Sequence, residues 1–382
     1  MNRREFVGYF GGAATVAALT MTSQLAFGSS GVSMEFPWQI GPFERPAGGQ
    51  PILRPNRKET FRDPIIHQLV HWEYTHAFNP AAIAWRGKLY VLYRAEDTTG
   101  HGVGQYTSRV GLAESSDGKH FSALPHPVLN PEPGRWEKYE WPGGCEDPRI
   151  VQSEDGTFVL AFTMWNRKVA RLGVATSKDL LHWQHHGPVF RTAYGGRFES
   201  EWSKSGAIVT RKSGEQIVAA RVAGKYWMYW HTDRQTALAY SHDLINWTPV
   251  LDRAGKPLFV LPKNSPGHFD SLLTESGPPA LLTEAGIVFF YNGMSDGRIT
   301  AGLRIPAQRY SAGQALFAGD DPARLLQRPQ RPFFWPQEPW EKTGQYKYGT
   351  TFIEGLAWYH DKWFLFYGGA DTDVGMAVAK AN

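Results

Sequence analysis

The densest cluster of reactive side chains in the chain runs from Glu140 to Arg149, EWPGGCEDPR. Two glycines and Pro148 bend its backbone, so Glu146, Asp147 and Arg149 project together. An arginine set against two carboxyl groups can hold one ionised while the other keeps a proton, the division that acid–base catalysis needs; the plain alternative is a salt-bridged turn. A second cluster, DSLLTESGPP (Asp270 to Pro279), ends in a rigid Gly-Pro-Pro turn that places Glu275 reproducibly. Turn chemistry accounts for Ser276 to Pro279 but does not require Glu275. His231, Thr232, Asp233 and Arg234 follow Trp230, while Glu199, Glu201 and Lys204 precede Gly206; here Asp233 or Glu201 is either a base facing inward or a solvated loop residue. Asn79, Arg94, Glu96, Asp97, Arg109 and Asp371 add the planar donors and acceptors that sugar hydroxyls need.

Other polar residues carry simpler readings. Asp117, Asp179 and Asp243 each stand in a Ser-x-Asp element, where an aspartate caps a turn. Most of the 15 Trp and 16 Tyr are packing residues, but Trp141 and Trp165 adjoin the polar clusters and are candidates to meet a sugar. The 13 His show no paired metal spacing, no Gly-rich phosphate loop precedes a helix, and there is no Gly-x-Ser-x-Gly elbow. Neither a metal nor a cofactor is expected.

The elements that must position these residues are repeats. Gly or Asp turns lead into short aromatic strands at Gly87 to Arg94, Gly156 to Met164, Gly224 to Trp230, Gly286 to Gly293 and Asp361 to Gly368. Three are followed by a second repeated element: Ser115 to Phe121, Ser177 to Trp183 and Ser241 to Trp247. Five such units, none able to bury both faces alone, predict an all-β fold, a five-bladed β-propeller whose polar loops converge on a central mouth. No long amphipathic helix competes with this reading. Glu35 to Asp63, rich in Pro and Gly, is expected to wrap the propeller, and the Pro-rich stretch Arg304 to Tyr348 to cross between the last two blades as a long loop.

Residues 1–28 read as an export signal: Arg3 and Arg4 stand before the apolar run Val7 to Phe27, with small residues at Ala26 and Gly28. The twin arginine points to the Tat route, hence a periplasmic or secreted protein with no stable membrane association after cleavage. Residues 29–63 are then the wrapping segment and 64–382 the propeller. The formal charge of +4 falls by one once Arg3, Arg4 and Glu5 are removed, and with no dense basic block nucleic acid is not an expected partner. Cys145 is the single cysteine, which excludes an internal disulfide. Nothing in the sequence sets the oligomeric state.

On these residues the chain resembles glycoside hydrolase family 130, β-mannoside phosphorylases and β-mannosidases built on five-bladed propellers. The resemblance starts at FNPAAIAWRGKLYVLYRAED (Phe78 to Asp97) and continues through TSRVGLAESSDGKHF, GGCEDPRIV, KSGAIV at Lys204 and ESGPPALL at Glu275. It ends at EKTGQY and YGGAD (Tyr367 to Asp371), so it spans nearly all of the chain after the signal. It implies inverting attack on a β-mannoside in an oligosaccharide, with Asp147 as general acid, its proton passing through a hydroxyl of the mannose itself. Asn79, Arg94, Arg109 and Asp371 match positions that hold that mannose.

The nucleophile divides the family. Phosphorylases hold phosphate with basic residues, and Arg149, Lys204 and Arg167 or Arg171 keep that chemistry open; hydrolases place carboxylates to activate water. Glu275 before Gly-Pro-Pro, WNRKVARLGVATS and EKTGQY resemble the hydrolytic branch, including β-1,2-mannosidases. That branch carries a glutamate after the third-blade Trp, where this chain offers Asp233. The expectation is a secreted β-mannoside hydrolase using Asp147 and Glu275, with Asp233 as a further candidate base. Its rivals are a phosphorylase, a catalytically silent glycan-binding propeller, and an arabinan-type hydrolase disfavoured by Asn79-Pro80 where that family has Asp-Pro.

Overall fold

Short runs of Val, Ile, Tyr, Phe and Trp between Gly and Asp turns form strands throughout the computed structural model, which describes residues 34–46, 48–300 and 303–380. The export reading of residues 1–28 lies outside the described residues. Helix among the described residues is confined to one turn, Glu137–Glu140, and two 3-10 turns, Ala193–Gly196 and Pro339–Glu341.

The strands group into five antiparallel meanders. The first holds His76–Trp85, Lys88–Glu96 and Ser108–Ser115, and the second Gly144–Gln152, Phe158–Trp165, Ala170–Ser177 and Gln184–Pro188. The third holds Lys204–Ser213, Lys225–Thr232, Gln235–Ser241 and Trp247–Pro249. In the fourth, Leu273–Ser276 and Ala280–Thr283 both pair with Gly286–Met294, followed by Tyr310–Phe317 and Leu325–Gln327. The fifth holds Thr351–Tyr359, Lys362–Gly369 and Asp373–Lys380. Each repeated aromatic run is the second strand of a meander, the strand with neighbours on both edges and both faces. The stretch 304–348 is a correction: it contains the fully buried strand Tyr310–Phe317, the short strand Leu325–Gln327 that pairs with it and the 3-10 turn Pro339–Glu341, with loop between them. Its prolines lie outside the strand, where they break no ladder hydrogen bond.

Five apolar clusters join the meanders in sequence. Leu92, Val110 and Leu160 link the first to the second; Val159, Leu172, Met228 and Trp230 the second to the third; Val209, Tyr229 and Phe289 the third to the fourth. Val288, Phe290 and Leu365 link the fourth to the fifth, and Phe364, Phe366, Val91 and Tyr93 bring the fifth back against the first. Each large side chain so buried stabilises the fold by roughly 1.5–3 kcal/mol, enough to make every meander depend on its neighbours. The segment before the first meander meets the last strand, with Glu44 bridging Val378 and Leu53 bridging Val374.

The second strands also carry a repeated polar tie. Tyr93 donates to Glu73, Tyr291 to Asp270 and Tyr367 to Glu341, at 2.7–2.8 Å. Each ring lies flat against a glycine of the third strand, Gly111, Gly313 or Gly375, where an added Cβ would stand 2.3–2.4 Å from the ring. Asp117, Asp179 and Asp243 are the turn caps their setting predicts, each Oδ1 accepting from the N–H groups two and three residues on.

Candidate active site

The first strands of the meanders lose register at one equivalent place. The shift falls between Phe78 and Pro80, Glu146 and Arg149, Lys204 and Ala207, and Ile353 and Gly355; in the fourth meander the strand is interrupted by Gly277 to Pro279. A bulge re-aims the side chain it frees. The freed residues are Asn79, Asp147, Ser205 and Glu354, the first three with φ of +48°, +50° and +55°. Such backbone costs on the order of 1–3 kcal/mol outside glycine, and it gathers at sites where chemistry repays it.

These bulges bring a network of charges together. Asn79 Nδ2 donates to Asp147 Oδ1 at 2.9 Å, and Gly368 leaves the room: a Cβ there would stand 2.2 Å from Asn79 Oδ1. The Arg94 guanidinium serves three carboxylates, with Nη1 3.1 Å from Asp147 Oδ1, and Nη2 2.7 Å from Glu146 Oε1 and 2.5 Å from Glu96 Oε1. Burial pushes the Asp147 carboxyl up, but Arg94, Lys204, the Asn79 hydrogen bond and Arg149 outweigh it and hold the pKa below the ordinary value. Asp147 is therefore ionised at neutral pH.

Arg149 is enclosed by acceptors. It donates to the main-chain oxygens of Gly277 (2.8 Å), Ser276 (2.8 Å) and Asp147 (3.0 Å), and its Nη2 lies 3.1 Å from Glu354 Oε1. It thus fastens the Gly-Pro-Pro turn to the Asp147 bulge. Glu275, one residue before Ser276, is buried, and its Oε1 accepts from Lys204 Nζ at 2.7 Å and Ser205 Oγ at 2.6 Å. Burial opposes its ionisation, yet Lys204 foremost, then His231 and Ser205, keep its pKa far below the carboxylate range. His231 is neutral, lowered by burial to about 4 although Glu275 pulls it the other way, and its Nδ1 lies 2.9 Å from the Thr274 carbonyl.

Of the residues singled out from sequence, Asn79, Arg94, Glu146, Asp147, Arg149, Lys204 and Glu275 form this one network. Arg109 and Asp97 lie beneath it, without solvent contact: Arg109 Nη1 meets Asp97 at 2.8 Å and Nη2 meets Asp63 at 2.5 Å, while Asp97 Oδ1 also accepts from Thr99 and Thr107. What they can do from there is hold the loop after the Lys88–Glu96 strand. Asp371 has φ of +52° in the turn after Gly369, and its carbonyl and Glu96 Oε2 both accept from Gln345 Nε2. Trp165 donates to the Gly104 carbonyl at 2.9 Å and meets Trp202 edge to face at 5.7 Å, so the loops 98–106 and 190–203 share one rim. Arg171 donates to the Glu199 carbonyl at 2.9 Å and lies over the Tyr139 ring.

Asp233 is placed differently from Glu275. With Arg234 it forms a two-residue hairpin turn, both φ positive and both side chains exposed, closed by the Thr232–Gln235 pair. The geometry gives it a turn role at the rim. Sequence reading missed Ser205 and Glu354 and named His231 without giving it a role. Only His231 had a signal, its place after Trp230; Glu354 stands in the otherwise apolar run TFIEGLAWY.

Two ionised carboxylates on separate strands, each anchored by a cation, together with nearby amide and guanidinium groups, can bind a polyhydroxylated ligand and move protons on it. Comparison with known proteins agrees. The family model described as beta-1,4-mannooligosaccharide phosphorylase, that of glycoside hydrolase family 130, matches residues 52–382. The chain belongs to glycoside hydrolase family 130, a family acting on β-mannosides. It is 31% identical to a 1,2-beta-oligomannan phosphorylase of Thermoanaerobacter sp. (strain X514), over 80% of this chain and 90% of that one. Among solved structures it is similar to a glycosyl hydrolase from Bacteroides ovatus, at 45% identity and TM-score 0.86, covering 90% of this chain and 97% of the other. A further structure, at 45% identity and TM-score 0.87 over 92% and 96% of the two chains, represents glycoside hydrolases of this family that target beta-1,2 mannosidic linkages in Candida mannan.

Proposed function

We propose that this protein is an exported five-bladed propeller that hydrolyses β-mannosides, β-1,2-linked ones foremost, with inversion. Asp147 is the acid and Glu275 the base that activates water. The observation that carries the choice of water is the state of the cations. Lys204 is neutralised by Glu275, Arg149 is enclosed by three carbonyls, and Arg171 is bound to the Glu199 carbonyl. An attacking phosphate would have to displace those partners, whereas water needs only the Glu275 carboxylate, whose Oε2 has no hydrogen-bond partner. The 45% identity to structures on the hydrolytic side, against 31% to the oligomannan phosphorylase, supports the same reading.

The five meanders, whose apolar clusters run from each to the next and from the fifth to the first, support the propeller. The twin arginine at Arg3 and Arg4 supports Tat export, and export favours hydrolysis, since mannose 1-phosphate released outside the cytoplasm would be of little use to the cell. Asn79, Arg94 and Asp371 are read as the mannose holders, and Glu146 as the carboxylate that orients Arg94. Arg109 and Asp97 support them from below. Trp165 and Trp202 form the aglycone rim.

Asp147 by itself is ionised at neutral pH, so catalysis requires that a proton be taken up from solvent as the substrate binds. A sugar closing over the carboxylate removes the remaining water and raises its proton affinity, and the mannose hydroxyl that relays the proton occupies the same place. Glu275 attacks through water from the opposite face, which calls for a separation between the carboxyl groups of roughly 6.5–9.5 Å. The deciding experiment incubates the purified protein with β-1,2-mannobiose, β-1,4-mannobiose and Man-β-1,4-GlcNAc, with and without phosphate. The expected product is mannose, first as the α-anomer, in phosphate-free buffer. Mannose 1-phosphate as the main product, with no turnover when phosphate is withheld, would assign the protein to the phosphorylases.

A further inference from the structure

Glu354 has no exposed surface and no part in the chemistry above. Neither of its carboxyl oxygens has a hydrogen-bond partner; Arg149 Nη2 comes within 3.1 Å of Oε1 without the alignment of a hydrogen bond. A buried carboxyl left so poorly satisfied destabilises a fold, so its presence calls for a reason.

The backbone is built to put it there. The register slips between Ile353 and Gly355, which turns Glu354 inward from an apolar strand. Asn292, from the fourth meander, grips both main-chain groups of Ile353: Ile353 N–H donates to Oδ1 at 2.8 Å and Nδ2 donates to the Ile353 carbonyl at 3.0 Å. Gly355 lets the bulge press against the first meander, where a Cβ would stand 2.8 Å from the Pro80 carbonyl. Two neighbouring meanders thus hold the bulge in place.

We propose that Glu354 is a positioning residue of the cleavage reaction, acting through Arg149 to fix Asp147 and the Ser276–Gly277 turn that follows Glu275. The inference rests on Asp147 and Glu275 being the acting pair. Arg149 spends its donors on the carbonyls of those two segments, and the Glu354 carboxyl lies 3.1 Å from its Nη2. The charged groups acting on Glu354 are Arg149 and Asp147 from the second meander, Glu275 from the fourth and Arg94 from the first. Burial first, then Asp147 and Glu275, raise its pKa well above the ordinary value against the pull of Arg149 and Arg94. A neutral carboxyl fills the place without adding a third negative charge beneath Asp147 and Glu275. Its ionisation at high pH would disturb both.

The test compares Glu354→Gln with Glu354→Ala by pH-dependent turnover of β-1,2-mannobiose, counting all glycosidic cleavage, and by crystal structure. Small displacements of reacting groups cost up to about 100-fold, so Glu354→Ala should lower kcat by roughly tenfold or more with KM within about twofold. In its crystals Arg149 should leave the Asp147 and Gly277 carbonyls. Glu354→Gln should recover most of kcat and flatten the alkaline decline of the wild type. Glu354→Ala with wild-type kcat and pH profile would overturn the proposal, as would lost activity with Arg149 still in place. If the wild-type protein cleaves no β-mannoside, the functional reading fails, and the position of Arg149 in folded Glu354→Ala decides the structural role alone.

Discussion

Removing the ammonium of Lys204 separates water from phosphate as the nucleophile. Lys204 Nζ stands 2.7 Å from Glu275 Oε1, and Lys204 is the strongest influence opposing the burial that pushes this carboxyl up. Two unit charges at that distance attract by roughly 6 kcal/mol at an effective dielectric of about 20. The Lys204 side chain is 15% exposed, and solvent screening together with the remaining help from Ser205 and His231 halves the loss. About 3 kcal/mol remains, a roughly hundredfold rise in the proton affinity of Glu275. In Lys204→Met this base moves up by that amount towards the ordinary carboxylate range, so mannose release in phosphate-free buffer should acquire an acid limb at a higher pH than any the wild type shows. The wild-type enzyme, whose Glu275 is ionised far below that, should show no such limb from this group. Stability follows the same sign. In the wild type the depressed Glu275 contributes stability that is present above its unfolded value of about 4.3 and lost only as pH falls through the folded one; in the variant that contribution shrinks by about 3 kcal/mol. A phosphorylase would instead lose affinity for phosphate and gain no acid limb. An unchanged pH profile in a folded Lys204→Met protein refutes the assignment of Glu275 as the base.

Four further outcomes are expected. Asp147→Asn should reduce kcat by roughly 100-fold or more, the scale of lost general acid catalysis, with binding largely intact; near-normal turnover in a folded variant would leave Asp147 a structural partner of Arg94. Binding of an uncleavable thio-linked mannobiose near neutral pH should take up close to one proton, read by calorimetry in buffers of different ionisation heat, and Asp147→Asn should abolish the uptake. Because the Glu354 carboxyl is raised in the fold, the unfolded chain ionises first, and native stability declines as pH rises from about 4.3 towards the folded value. Glu354→Gln should therefore melt above the wild type by a margin that grows with pH, and a constant margin would contradict the neutral state of Glu354. EDTA should leave turnover intact, and loss of activity restored by a divalent ion would refute a metal-free mechanism.

Where sequence and structure part company has a common physical cause. Asp147 and Glu275 could be picked out because each sits among backbone-bending residues, in EDPR and ESGPP, where a carboxylate is not what the turn itself requires. The second strands could be placed because aromatic runs behind Gly or Asp turns have one sensible use. Glu354 could not be found this way. What makes it part of the site is a slip in register against Lys362–Gly369, an event between two strands that leaves no mark on either alone. Ser205 is hidden for the same reason, and Arg149 was read by its charge when its work is to bind carbonyls of a distant turn. Asp233 shows the converse: a carboxylate beside an aromatic strand matches a base in type, but the two-residue spacing between Thr232 and Gln235 makes it a hairpin turn.

The bulges also explain why such a site can change its nucleophile while its scaffold stays the same. Ladder hydrogen bonds and packing between the meanders fix where Asn79, Asp147, Ser205 and Glu354 leave their strands, and neither depends on what the freed side chains are. Charge is then the free variable. Here Lys204 is answered by Glu275, and Arg149 by three carbonyls and a neutral Glu354, so little positive charge is left over for an incoming anion. An exchange at Glu275 that removed the carboxylate would release Lys204, and with it the cation that phosphate needs. Glu275→Gln should accordingly bind phosphate more tightly than the wild type even as mannose release falls. If phosphate affinity, measured by calorimetry, is the same in both proteins, ion pairing with Glu275 is not what keeps phosphate out.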